Sequence, residues 1–121
     1  MTNTARALYQ FFSSFGLPAY VEYVVPDEAV LPYITYQLVE PDWRDSATLY
    51  ARVWYRSPTW AGIAAKVDQI AEAVGNGVTI PTPTGVLMLN KGSPFAQEQP
   101  MEGDDTLKVV YLNMTLHAFT T

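Results

Sequence analysis

The sequence has 121 residues, of which 49% are hydrophobic and only 16% charged, and seven basic against twelve acidic side chains leave a net charge of −5. That length fits one domain of ~100–200 residues over 1–121, and the composition excludes a disordered chain, which needs high charge and little apolar material. The acidic balance argues against a free nucleic-acid binder, and the lack of cysteine excludes disulfides, thiolate metal sites and a cysteine nucleophile.

The first predicted element is a helix. Asn3 or Thr4 caps it, and Leu8, Phe11, Phe12 and Phe15 follow the i, i+3, i+4, i+7 spacing of one apolar face. Gly16 suits the left-handed position after a helix, and Pro18 prevents continuation. Ala19–Val25 reads as a strand, closed by the turn signal Pro26-Asp27-Glu28. Tyr33–Val39 is a second strand, followed by a polar loop over Glu40–Asp45 that carries Trp43. Ser46–Arg56 is the best strand, with Leu49, Ala51, Val53 and Tyr55 alternating with Thr48, Tyr50, Arg52 and Trp54.

A second helix is predicted with Ser57 as its cap and Pro58 as its first residue. Trp60, Ile63, Ala64, Val67, Ile70, Ala71 and Val74 form its apolar face, and Gly75-Asn76-Gly77 ends it. Val78–Ile80 and Val86–Leu89 make a hairpin across Pro81–Gly85. Asn90–Asp105, rich in Gly, Pro and acid, reads as a long loop or a projecting hairpin. Leu107–Phe119 is a last strand, with Val110, Leu112, Met114, Leu116 and Ala118 on one face. The order α-β-β-β-α-β-β-β predicts an α+β domain of two layers: an antiparallel meander sheet with two amphipathic helices on one face. No stretch reaches the ~18 apolar residues of a transmembrane helix, and the N-terminal stripe lacks the pattern of a cleaved leader. A soluble chain is expected.

Catalytic constellations are absent from the pattern. The single histidine, His117, lies in a strand with no neighbouring nucleophile. Gly92-Ser93-Pro94 cannot be a nucleophile elbow, because Pro blocks the helix that must follow. The acidic pairs Asp27/Glu28, Asp42/Asp45 and Asp104/Asp105 fall in turns, where such residues are common. Gly75 and Gly77 end a helix instead of opening one, so they present carbonyls and not the N–H groups a phosphate needs. No cofactor or metal is expected, and no enzyme.

Two features ask for more than a packing role. The second faces of two strands carry Tyr50, Arg52, Trp54 and Arg56, and Tyr111, Thr115 and Phe119. Tyr and Trp among Arg is an interface composition, although aromatic cross-strand pairs on a half-wet sheet give the same pattern. The expected subunit or partner contacts are Tyr50, Arg52, Trp54 and Tyr111, with Phe95 and Lys91 from the 90–105 segment. Asp68 and Glu72 lie four apart on the outer helix face, beside Ala61 and Ala65, a mildly unfavourable like-charge pair.

The stretches LYQFFSSFGLPAYVEYVVP (8–26), PYITYQL (32–38), Trp54-Tyr55-Arg56 and Lys91-Gly92-Ser93-Pro94-Phe95-Ala96-Gln97, with Asp104-Asp105 ahead of Lys108, Tyr111 and Asn113, resemble the small tail terminator (tail completion) proteins of long-tailed, siphovirus-type phages. The lysine-to-glutamine run is the most specific of these. The resemblance implies an α+β subunit that forms a hexameric ring on the head-proximal end of the tail tube, stops its growth and joins tail to head. It implies a tail tube protein and a head-completion or connector protein as partners. The place implied is the virion, reached by assembly in the host cytoplasm, with DNA passing through unbound. A channel that repels DNA would use Asp68 and Glu72, with Asp42 and Asp45 second. The alternatives are a neck or connector-stopper protein at the same junction, a small-molecule-binding α+β domain, and an enzyme with carboxylate chemistry.

Overall fold

The structure is a computed structural model that describes residues 3–39 and 47–120. Helix α1 spans Asn3–Ser13 and β1 spans Ala19–Val21. Strands β2 (Tyr33–Val39) and β3 (Ala47–Arg56) precede helix α2 (Ala61–Val74). Strands β4 (Val78–Thr82), β5 (Gly85–Pro100) and β6 (Leu107–Thr120) complete the chain.

All six strands join one sheet in the order β1-β2-β3-β6-β5-β4. The expected antiparallel meander is therefore corrected twice. β1 runs parallel to β2, with Ala19 opposite Ile34, because residues 22–32 return the chain before β2 begins. β3 takes β6 as its second neighbour, so the chain crosses α2, β4 and β5 before the centre of the sheet is complete. The predicted Ala19–Val25 strand shrinks to three residues. After Glu22 N–H donates to Tyr36 O at 2.9 Å, Val24 N–H turns back to Val21 O and pairing stops.

The core is built on period-2 alternation. Leu49, Ala51 and Val53 of β3 sit opposite Met114, Leu112 and Val110 of β6, and all six are buried. Onto this face pack Leu8 and Phe12 from α1, Phe15 from the turn after it, and Ile63, Val67, Ile70 and Val74 from α2, in one continuous cluster. Phe12 is fully buried and stacks on Tyr36 with centroids 4.8 Å apart. Lys66 Nζ donates to Phe15 O at 2.6 Å, tying α2 to the chain leaving α1. There Gly16 adopts a positive φ of 82°, which a residue without Cβ accepts freely.

Helix α1 touches both β1 and β4, the two ends of the sheet order. Five strand spacings of about 4.8 Å would hold those ends roughly 24 Å apart in a flat sheet. An 11-residue helix is only about 16 Å long, so the sheet curls around α1.

Helix α2 begins three residues later than Ser57 and Pro58 predict. Ser57 Oγ accepts from Thr59 N–H at 3.2 Å and Ser57 N–H donates to Thr106 O at 2.7 Å, so this residue closes a turn against the chain before β6. Trp60 stands at the cap position without a side-chain hydrogen bond. The 90–105 segment is mostly strand. β5 continues to Pro100 along β6, across an irregularity between Lys91 and Ala96, and only 101–106 turns. The Glu40–Asp45 loop, with Asp42, Trp43 and Asp45, lies outside the described residues.

Phe12→Ala removes a fully buried ring and its stacking contact with Tyr36. It should destabilise the fold by about 3–5 kcal/mol, read as a lowered urea midpoint at an unchanged m-value.

Candidate functional site

The face of the sheet turned away from the core cluster is not simply wet. Thr48, Tyr50, Arg52 and Trp54 alternate with the buried residues of β3 and are each half-buried. Two side chains on this face, Thr35 and Val109, are only 2% and 1% exposed. Thr35 sits opposite Arg52, and Val109 opposite Trp54.

Arg52 organises one half of this surface. Its guanidinium pairs with the Glu22 carboxylate, donates to Tyr111 Oη at 3.0 Å and lies 4.4 Å from the Tyr111 ring centroid. Tyr50 meets the same ring edge-on at 5.9 Å. A guanidinium suits this double duty, because its flat face stacks while its N–H edge reaches a carboxylate. Gln37 Nε2 donates to Tyr23 Oη at 3.0 Å, holding the chain after β1 over the same face.

Trp54 belongs to the other half. Its Nε1–H donates to Thr35 Oγ1 at 2.9 Å, and its ring tilts against Tyr33 at 6.2 Å, which meets Tyr20 edge-on at 5.6 Å. The structure thus gathers Tyr50, Arg52 and Tyr111 into one cluster and gives Trp54 separate partners. Sequence reading missed Glu22, the anion that holds Arg52. Its signal was present: it is the only charged residue in the apolar run Ala19–Val25. It also missed Thr35, whose hydroxyl is satisfied only by tertiary contact.

Lys91 and Phe95 flank the β5 irregularity, with the ammonium 5.5 Å from the ring centroid. Phe95 is half-buried against the core, and Asn113 Nδ2 donates to Pro94 O at 3.0 Å. A Cβ on Gly92 would meet Asn113 Cβ and O at 3.0 Å, so the arm lies close against β6. Beside it, Gln97, Gln99, Tyr111 and Asn113 line an open depression of about 280 Å³. Asp68 and Glu72 are exposed on α2, and among the described residues neither forms an ion pair. Asp42 and Asp45 lie outside the described residues.

The turn at 101–106 is fastened to the end of β3. Arg56 Nη1 donates to Asp104 Oδ2 at 2.9 Å, and Thr106 donates to Asp104 Oδ1 from both its hydroxyl and its N–H. The Arg56 hydrogen bond, followed by those from Thr106, holds the Asp104 carboxyl down at about 2, from an ordinary 3.8.

No family model matches the chain, and no curated protein matches it. Among solved structures, a chain from the virion of a native gene transfer agent particle superimposes with a TM-score of 0.71. The match covers 93% of this chain and 92% of that one, at 17% identity. What is shared is the fold. It is shared along nearly the whole of both chains, so neither carries a large element that the other lacks.

Two outcomes follow from these contacts. A double-mutant cycle on Arg52→Met and Glu22→Gln should give a coupling on the order of 1 kcal/mol in unfolding free energy. An NMR titration should place the Asp104 carboxyl near 2, rising toward 3.8 in Arg56→Gln. Because the folded value is depressed, the stabilising contact is complete above pH about 4 and is lost as pH falls toward 2.

Proposed function

We propose that this protein is a structural virion subunit of the long-tailed-phage type, and within that class a tail terminator. It assembles as a ring on the head-proximal end of the tail tube, stops the tube's growth and joins it to the head. The observation that carries the reading is the end-to-end likeness in fold to a virion chain. The sequence resemblance to tail terminators narrows it.

Surface composition supports assembly. Val21, Tyr23, Val24 and Val30 are 45–79% exposed within one short stretch. Apolar residues concentrated in this way mark protein contacts more often than free surface. Tyr50, Tyr111 and the Lys91–Phe95 pair lie on the half-buried sheet face and its bordering arm, where a neighbour would extend an existing polar-aromatic network. A ring built from heterologous contacts requires several unlike patches on each subunit, and the two faces of this sheet differ in character.

Genome passage sets an electrostatic condition. Basic contacts to phosphate bind DNA by releasing counterions, so a channel that must release the genome is best lined with acid. A charge of −5 per subunit, repeated around a ring, supplies that field. The exposed carboxylates of α2 are the candidates to face it.

Electron microscopy of the protein mixed with purified tail tubes tests the reading. Rings capping one tube end, and tubes that no longer lengthen, are expected. Tubes that grow unchanged would exclude a terminator, and binding to head connectors alone would point to the neck-protein alternative. The native protein should show no measurable affinity for duplex DNA at low salt, whereas Glu72→Lys should create binding that disappears as salt rises. Tight binding by the native ring would overturn the acidic-channel account.

A further inference from the structure

The described cations are nearly all engaged within the chain. Arg52 pairs with Glu22 and Arg56 with Asp104. Lys66 donates to Phe15 O and Gln69, Lys108 donates to Asp105 O and lies over Trp60, and Lys91 lies over Phe95. Arg6 stands apart. It is exposed on α1, and among the described residues nothing pairs with it. One turn further on, Tyr9 is 46% exposed, so α1 presents a free cation beside an uncovered aromatic ring.

A complementary feature lies between α2 and the arm of β5. Trp60 at the cap of α2 and Ala64, Val67 and Asp68 within it face Ala96 and Glu98 of β5 across a cleft of about 140 Å³. β4 pairs with β5 only as far as Leu89, so among the described residues no strand closes this side. The floor is apolar, and two carboxylates stand on it, neither with an ion-pair partner among the described residues. Lys108, over Trp60 at 5.3 Å, already occupies the aromatic end, which leaves the acidic end open.

We propose that this cleft receives the outer face of α1 from a second copy of the chain, with Arg6 between Asp68 and Glu98 and Tyr9 on the apolar floor. Charge complementarity selects the occupant. Among the described residues the chain's own surface offers one unpaired guanidinium with an adjacent aromatic, and the cleft offers two unpaired carboxylates around an apolar surface. An arginine fits both parts, since its methylene stem buries against apolar atoms while its head meets carboxylates. The two patches lie on different elements and are unlike, so the contact repeats head to tail and can close into a ring. The inference rests on the ring reading above and names the contact that would close it. Asp68 then belongs to the joint between subunits, and the channel role passes to Glu72.

Sedimentation velocity over a range of concentrations tests the contact, with circular dichroism confirming that each variant is folded. The native chain should associate. Arg6→Glu alone, and Asp68→Lys with Glu98→Lys, should each weaken association by at least about tenfold, while Glu72→Lys leaves it unchanged. Mixing the two folded, reversed proteins should restore association, because each then offers the patch that the other lacks. A native ring that survives Arg6→Glu, or a mixture that stays monomeric, would overturn the contact and leave the ring reading standing. A native chain that is monomeric at every concentration and on tail tubes would overturn both.

Discussion

The ten-residue pairing of β3 with β6 is the constraint on which the rest of the molecule depends. It joins a strand from the first half of the chain to the last strand, so the centre of the sheet is complete only once the end of the chain is in place. Its register is fixed by side-chain size. Shifting either strand by one residue would turn Leu49, Ala51 and Val53, or Val110, Leu112 and Met114, away from the helices. The same shift would drive Arg52 and Tyr111 into the apolar cluster, where an unpaired guanidinium is heavily penalised. One face enforces the register by burying hydrocarbon. The other enforces it through an ion pair, a stacked guanidinium and a hydroxyl acceptor.

This two-sided arrangement explains why the second sheet face can look like an interface in sequence and still be partly internal. Glu22 and Tyr23 bring the chain after β1 over it, and Trp54 shields Thr35 and Val109. The aromatic cross-strand pattern and the interface composition are both present. Intramolecular partners account for Trp54 and Arg52, while the most exposed large apolar side chains among the described residues are Tyr23, Val24 and Val30, in the 22–32 stretch that begins with the end of the predicted strand and its turn.

Alternation and helical periodicity were legible wherever one face is buried against the core. β2, β3 and β6 and the apolar stripes of both helices could be read from residue spacing, because burial selects hydrophobic residues at a fixed period. Strand neighbours could not be read. Nothing local in Ala19–Val25 says that it will pair in parallel for three residues and then turn. Nothing local in Lys91–Pro100 says that a segment rich in Gly, Pro and Gln will be held as strand, since that depends on β6 lying beside it. The start of α2 was misplaced for a similar reason. Ser-Pro is a good helix opening, but Ser57 has a better partner in the turn that precedes β6. Of the candidate site, the members of the Arg52 cluster were visible as residue types, whereas Glu22 and the α2–β5 cleft arise only when distant segments meet.

The irregularity in β5 has a bearing on what this chain avoids. Beyond Leu89 the outer side of β5 has no partner strand among the described residues, and an uncovered strand invites identical chains to stack into cross-β fibrils. Such stacking draws on regular segments of six or seven residues without proline. Here the ladder to β6 is interrupted between Lys91 and Ala96, Pro94 falls within the interruption, and Pro100 ends the strand. Only Ala96–Gln99 remains as an uninterrupted, proline-free run, and it includes the charge of Glu98. The outer side of β5 is thereby turned away from open-ended backbone polymerisation, and any contact made there must run through side chains of defined geometry.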